Sequence, residues 1–102
     1  MYIVFEYAES GSLRDVLRKF GALNEKIVKR YIHQILTALE YLNLNGILHL
    51  DLKAANVLIT KNGVCKLADF GSAHIVNPND QLSDCLGSFN WSTYFHLFTL
   101  RL

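Results

Sequence analysis

The stretch His49-Leu50-Asp51-Leu52-Lys53-Ala54-Ala55-Asn56, with Asp69-Phe70-Gly71 starting eighteen positions after Asp51, brings two carboxylates, an ammonium and a carboxamide into one short region. Taken singly these residues are ordinary. An aspartate after a β-like run serves as a turn residue, an asparagine ahead of Val57-Leu58-Ile59 caps a loop, and Asp-Phe-Gly punctuates a turn. Taken together they suit one chemistry. A phosphoryl group in transfer spreads charge over its oxygens. Its catalysis rests on positioning and on stabilisation by cations, with a carboxylate to orient the attacking hydroxyl. Asp51 can accept that proton. Lys53, two residues on and on the same side of an extended chain, can reach the phosphoryl group as a point charge. Asn56 and Asp69 offer one neutral and one charged hard oxygen of the kind Mg²⁺ takes.

The full order is His-x-Asp-Leu-Lys-x-x-Asn, then Val57-Leu58-Ile59, a turn at Lys61-Asn62-Gly63, a strand Val64-Cys65-Lys66-Leu67-Ala68, and Asp69-Phe70-Gly71. It resembles the catalytic loop and metal-binding triplet of the eukaryotic protein kinases. The resemblance implies ATP and Mg²⁺ as cofactors and a protein hydroxyl as acceptor. It makes Asp51 and Lys53 catalytic and Asn56 and Asp69 metal ligands. The segment from Met1-Tyr2-Ile3-Val4-Phe5 through Glu6-Tyr7-Ala8-Glu9-Ser10-Gly11-Ser12-Leu13 is similar to the last small-lobe strand, the hinge and the first large-lobe helix of that family. On this likeness Phe5 is the gatekeeper, and Glu6 to Ala8 form the hinge whose backbone pairs with the adenine edge. Leu13 and Leu58 floor the adenine pocket, while His49 and Phe70 belong to a stacked hydrophobic spine. Core packing is an equally ordinary role for these last four.

Within the family, Gly11-Ser12-Leu13, Lys53-Ala54-Ala55-Asn56 and Lys66-Leu67-Ala68-Asp69-Phe70-Gly71-Ser72-Ala73 resemble the MAP kinase kinase kinase and sterile-type group. Lys53 favours a serine/threonine kinase. Three departures accompany the match. Leu50 stands where the family has the arginine of His-Arg-Asp, so the guanidinium that clamps a phosphorylated activation loop is missing. The Gly-rich loop, the small-lobe lysine and its glutamate partner would precede Met1 and are not in the sequence. After Gly87-Ser88-Phe89-Asn90-Trp91 the chain continues Ser92-Thr93-Tyr94-Phe95-His96-Leu97-Phe98-Thr99-Leu100-Arg101-Leu102 in place of Met-Ala-Pro-Glu. The expected organisation is therefore a partial kinase domain over 1–91 and a divergent apolar tail over 92–102. That tail points to a truncated gene model, a frameshift or a retained intron, or else to a real apolar strand or partner-binding segment.

Composition narrows the classes further. The 102 residues are 51% hydrophobic and 19% charged with a formal net charge of +1, which implies neither disorder nor a nucleic-acid or acidic-membrane partner. No apolar run reaches the roughly 18 residues of a membrane span. Cys65 and Cys85 lack metal-ligand spacing, which suits reduced thiols in the cytoplasm, and Glu6 and Glu9 rule out a basic secretory leader.

The resemblance implies an α+β, kinase-like fold limited to the hinge and the N-terminal half of the large lobe, and the apolar periodicity places its elements. Residues 2–7 read as a strand and Ser12 to Phe20 as a helix with Leu13, Val16 and Leu17 on one face, ended by Gly21. Asn24 then caps a long helix in which Ile27, Val28, Tyr31, Ile32, Ile35, Leu39 and Leu42 form a stripe, with Asn45-Gly46 as the stop and His33 at the surface. Short strands follow near 47–48, 57–59 and 64–67. The turn Asn77-Pro78-Asn79-Asp80 falls in the expected activation loop, where Ser83, Ser88, Ser92 and Thr93 are candidate phosphorylation positions.

Overall fold

Ser12 starts the first helix because it and Asp15 satisfy each other's backbone groups. The Ser12 hydroxyl accepts the Asp15 N–H at 3.2 Å, and the Asp15 carboxylate accepts the Ser12 N–H at 2.9 Å and its hydroxyl at 2.6 Å. This reciprocal capping box opens α1, Leu13–Phe20, which Gly21 closes through its N–H to the Leu17 carbonyl. Asn24 then caps α2, Glu25–Leu44, its side-chain oxygen accepting the Ile27 N–H at 3.0 Å. The end of α2 is set by Gly46, whose φ of 67° lies in the left-handed region where a Cβ is costly.

The computed structural model describes residues 1–77, so Pro78 onward, with Cys85, the candidate phosphorylation positions and the apolar tail, lies outside the described residues. Four short strands follow α2 in pairs. Strand β1, Ile47–Leu48, pairs antiparallel with β4, His74–Ile75, and β2, Val57–Ile59, pairs antiparallel with β3, Cys65–Leu67. The β2–β3 connection is tight. Gly63 takes the left-handed position after a turn in which its N–H bonds the Thr60 carbonyl at 2.9 Å, and Thr60 N–H closes on Val64 at 3.0 Å.

The core lies where the two helices meet this hairpin. Ile35, Leu52, Val57 and Ile59 are buried together, with Leu13, Val16, Tyr31, Leu39, Cys65 and Leu67 packed against them. Both helices thus press on the hairpin that leads into Asp69. The stripe on α2 is only partly covered: Ile35 is buried, Val28, Tyr31, Ile32, Leu39 and Leu42 are half-buried, and Ile27 is exposed. Beside it an open cleft of about 490 Å³ runs between α2 and β3, with Thr37, Tyr41, Leu42, Leu67 and Phe70 among its walls.

Residues 2–7 depart from the expected strand. They form no strand pairing among the described residues, and Tyr2, Val4 and Phe5 are largely exposed. The sequence has the β propensity, but a strand exists only as part of a ladder, and no described segment lies alongside to complete one. His33 is exposed, as its position on the helix implies.

The capping box predicts a measurable contribution. Ser12→Ala should lower stability by about 0.5–2 kcal/mol in a thermal melt, and an unchanged melt would show the cap to be dispensable. The hydroxyl of Ser12 and then its backbone N–H hold the Asp15 carboxyl below its usual range. A depressed folded-state pKa contributes stability above the unfolded value and loses it as pH falls through the folded one. Asp15→Asn should therefore flatten the acid limb of the melting temperature against pH.

Candidate active site

Immediately after β1 the backbone makes an unusual turn. Leu50 has φ of 64°, a left-handed conformation that costs a β-carbon-bearing residue about 1–2 kcal/mol. The turn folds the Asp51 N–H back onto His49 Nδ1 at 3.3 Å, which leaves Nε2–H to donate to the Ala68 carbonyl at 2.9 Å. His49 is 1% exposed, and its ring packs at 4.8 Å between centroids against Phe70. One buried imidazole thus joins the start of the loop around Asp51 to the residues on either side of Asp69.

Asp51, Lys53 and Asn56 converge in this loop. Lys53 Nζ lies 2.9 Å from Asp51 Oδ2. A single turn of 3₁₀ helix, Ala54–Asn56, then carries the chain under Asp51, so that Asn56 Nδ2 donates to the Asp51 carbonyl at 2.8 Å and to Oδ2 at 3.1 Å. The hydrogen bond from the Lys53 ammonium, reinforced by its charge and by the Asn56 bond, holds the Asp51 carboxyl below its usual range. Asp51 is therefore an ionised acceptor at neutral pH, facing solvent on one side and fixed on the other.

Asp69 reaches the same neighbourhood through β3. The Ala68 N–H donates to the Asn56 carbonyl at 2.8 Å, and Asp69 then turns left-handed at φ of 60°, its Oδ1 accepting the Gly71 N–H at 3.3 Å. Aspartate tolerates this region better than most residues. The donor set fits a hard cation. Both bonds donated by Asn56 come from Nδ2, which leaves its Oδ1 for a metal, and Asp69 keeps Oδ2, so each residue offers an oxygen of the type Mg²⁺ accepts. Asn56 and Asp69 share a backbone bond through Ala68 and have no direct side-chain bond to each other among the described residues.

The hinge side is anchored to the hairpin. Ser10 N–H bonds the Ile59 carbonyl at 3.0 Å, Ile59 N–H bonds the Gly11 carbonyl at 2.8 Å, and Ser12 bridges to Leu58. The Glu9 carboxylate accepts the Lys61 N–H at 3.1 Å, and Glu6 lies 3.3 Å from Lys66 Nζ. The Ala8 carbonyl is used by the Gly11 N–H at 3.2 Å, whereas the Ala8 N–H and the Glu6 carbonyl have no backbone partner among the described residues. Leu13 turns to the core and Leu58 is half-buried beside it, so both lie next to the hinge exit. Phe5 and Glu6 are exposed, and no described contact joins Phe5 to the catalytic loop.

Sequence reasoning did not reach Glu9, Arg30 or Gln34, which tie the hinge and α2 to the hairpin. Their partners are the backbone groups of Lys61, Asn62, Gly63 and Cys65, and a side chain bonding to distant backbone leaves no local pattern to read.

Comparison with known proteins adds an independent line. A probable serine/threonine-protein kinase of Dictyostelium discoideum is 52% identical over 79 residues, covering 78% of this chain and 16% of that protein. The cell division control protein 7 of Schizosaccharomyces pombe is 45% identical over 89 residues, 87% of this chain and 8% of its own length. The MAP3K epsilon protein kinase 1 of Brassica napus is 46% identical over 82 residues, covering 78% of this chain and 6% of that protein. The chain therefore spans at most 16% of the length of these three relatives. The family model for the protein kinase domain matches residues 1–93, which takes in the hinge, both helices, the loop around Asp51 and the triplet at Asp69. On this match, this chain belongs to the protein kinase domain family.

Proposed function

We propose that these residues are the hinge, catalytic loop and metal-binding triplet of an ATP-dependent serine/threonine protein kinase that works in the cytoplasm on protein substrates. The observation that carries the reading is one carboxylate oxygen, Asp51 Oδ2, held at 2.9 Å by Lys53 and at 3.1 Å by Asn56. That arrangement is suited to moving one proton and stabilising one developing charge. A serine or threonine hydroxyl hydrogen-bonded to Asp51 is oriented toward the γ-phosphorus. As its oxygen bonds to phosphorus and the bond to the ADP oxygen breaks, its proton passes to Asp51. Lys53 neutralises charge on the transferring oxygens. Asn56 Oδ1 and Asp69 Oδ2 would hold Mg²⁺, which when bound would supply positive charge at the phosphate oxygens. The Glu6 carbonyl and Ala8 N–H, which have no backbone partner among the described residues, suit the donor and acceptor edge of adenine, with Phe5, Leu13 and Leu58 as its apolar surroundings.

The exposed Tyr2, Val4, Phe5 and Tyr7 favour a second reading, a non-catalytic kinase-like module that binds a partner. Transfer activity that depends on Asp51 separates the two.

In the full-length protein, Asp51→Asn should slow Mg-ATP-dependent transfer by roughly 10²- to 10⁴-fold, the scale of a positioned acid–base group, and Asp69→Ala should abolish it. Near-parental rates in either variant contradict the roles assigned to them.

Lys53 also sets a pH dependence. Its hydrogen bond and charge keep Asp51 ionised, so Lys53→Met should let the Asp51 pKa rise. The acid limb of the rate profile should then move to higher pH, on top of a lower plateau. A limb that stays in place would show that Asp51 is not the group titrating there.

Leu50 bears on regulation. An apolar side chain in this left-handed turn cannot pair with a phosphate, so activity should not depend on an activation-loop phosphate through an arginine clamp. Phosphatase treatment should leave the parent's rate largely intact, whereas a Leu50→Arg variant should become sensitive to it. Steep loss of activity in the dephosphorylated parent would contradict this.

A further inference from the structure

The outer edge of the β2–β3 hairpin is closed by a side chain. Within the hairpin, the Thr60 N–H bonds the Val64 carbonyl at 3.0 Å and the Ala68 N–H bonds the Asn56 carbonyl at 2.8 Å, while the Gly63 carbonyl and the Cys65 N–H face outward. The carboxamide of Gln34, on α2, meets both. Its Nε2 donates to the Gly63 carbonyl at 3.1 Å, and its Oε1 accepts the Cys65 N–H at 2.9 Å. A primary amide bonded in this way does the work of a peptide group in a neighbouring strand. Because one contact needs a donor and the other an acceptor, a slide of β3 by one residue breaks both. Arg30, one helical turn earlier, only grips the tip of the hairpin, donating to the Asn62 carbonyl at 3.2 Å.

What Gln34 fixes lies at the other end of the strand. β3 is three residues long and leads through Ala68 directly into Asp69. Ala68 is held from the catalytic-loop side by Asn56 and by His49. The position of Asp69 against Asn56 thus depends on where β3 stands along its own axis, and on the α2 side Gln34 is the group that sets it. We infer that Gln34 is a positioning residue for the metal-binding pair, acting through β3 to place Asp69 opposite Asn56. This rests on the proposed reading of Asn56 and Asp69 as metal ligands. Gln34 itself touches neither of them.

The test titrates the full-length protein with Mn²⁺ alone and follows the free ion by electron paramagnetic resonance. The site is the Mn²⁺ binding that Asp69→Ala removes. Gln34→Met, which keeps the length of the side chain and loses both bonds, should weaken that site roughly 10- to 100-fold, the usual effect of losing a group that orients a ligand. Arg30→Met should lower the melting temperature and leave Mn²⁺ affinity near the parent's value, which separates positioning from stability. Gln34→Glu keeps the acceptor for Cys65 N–H and should fall between Gln34→Met and the parent. If Gln34→Met does not fold, Gln34→Glu carries the test. Parental affinity in every folded Gln34 variant overturns the inference alone. Equal Mn²⁺ binding by the parent and Asp69→Ala overturns the metal reading and the inference with it.

Discussion

Asn56 is the point on which the site depends. It is buried at 7% exposure, yet its side chain holds both the backbone and the carboxylate of Asp51 while its own carbonyl takes the N–H of Ala68. A buried amide left without partners costs about 1–3 kcal/mol, so the loop conformation and the end of β3 are bound to one another through this residue. The consequence is functional as well as structural. The bonds that satisfy Asn56 use its nitrogen and its backbone, and the one atom they leave over is the hard oxygen a cation would take.

The β2–β3 hairpin is the frame around that point. Along β2, the Ile59 carbonyl and N–H face Ser10 and Gly11 and so carry that segment; on the other side, the Gly63 carbonyl and the Cys65 N–H face Gln34 and so carry α2. A hairpin with only three residues in each strand would be marginal alone. Here its edges are bonded by a loop on one side and a side chain on the other, and its buried face holds Val57 and Ile59 of the core. The segment around Ser10 and Gly11 and the aspartate at position 69 are therefore both referred to the same hairpin.

Much of this was legible in the sequence, for reasons that differ from element to element. The two helices were readable because caps and stripes are local. Asn24 bonds Ile27 as its position implies, and the apolar residues of α2 recur on one face. The cluster of Asp51, Lys53 and Asn56 was readable because its spacing lies within six residues, and Asp69 because a short hairpin brings it back. Residues 2–7 were misread as a strand because propensity describes a residue and a ladder needs a neighbour. The left-handed turn at Leu50 was not legible either, since leucine has no preference for it and only the two bonds of His49 make it pay locally in geometry. Gln34 was hidden for the same kind of reason, its partners lying 29 and 31 positions away.

On the proposed reading of Asp51 as the proton acceptor, its electrostatics bear on the kind of catalysis the site would support. A carboxylate whose pKa is depressed by an ammonium at 2.9 Å is a poor base toward an alcohol, which argues against full deprotonation of the hydroxyl before bond formation. A loose transition state does not require it. When the phosphoryl group is largely detached before the nucleophile bonds, the hydroxyl becomes acidic only late in transfer, and a weak but well-fixed acceptor is sufficient. Fixing is what the surrounding bonds supply. Asn56 holds the carboxylate from below, Lys53 from the side, and His49 holds the backbone N–H of the same residue. On the proposed reading, the same ammonium that weakens Asp51 as a base would also stabilise the charge on the transferring oxygens, so the loss in basicity and the gain in charge stabilisation would come from one side chain.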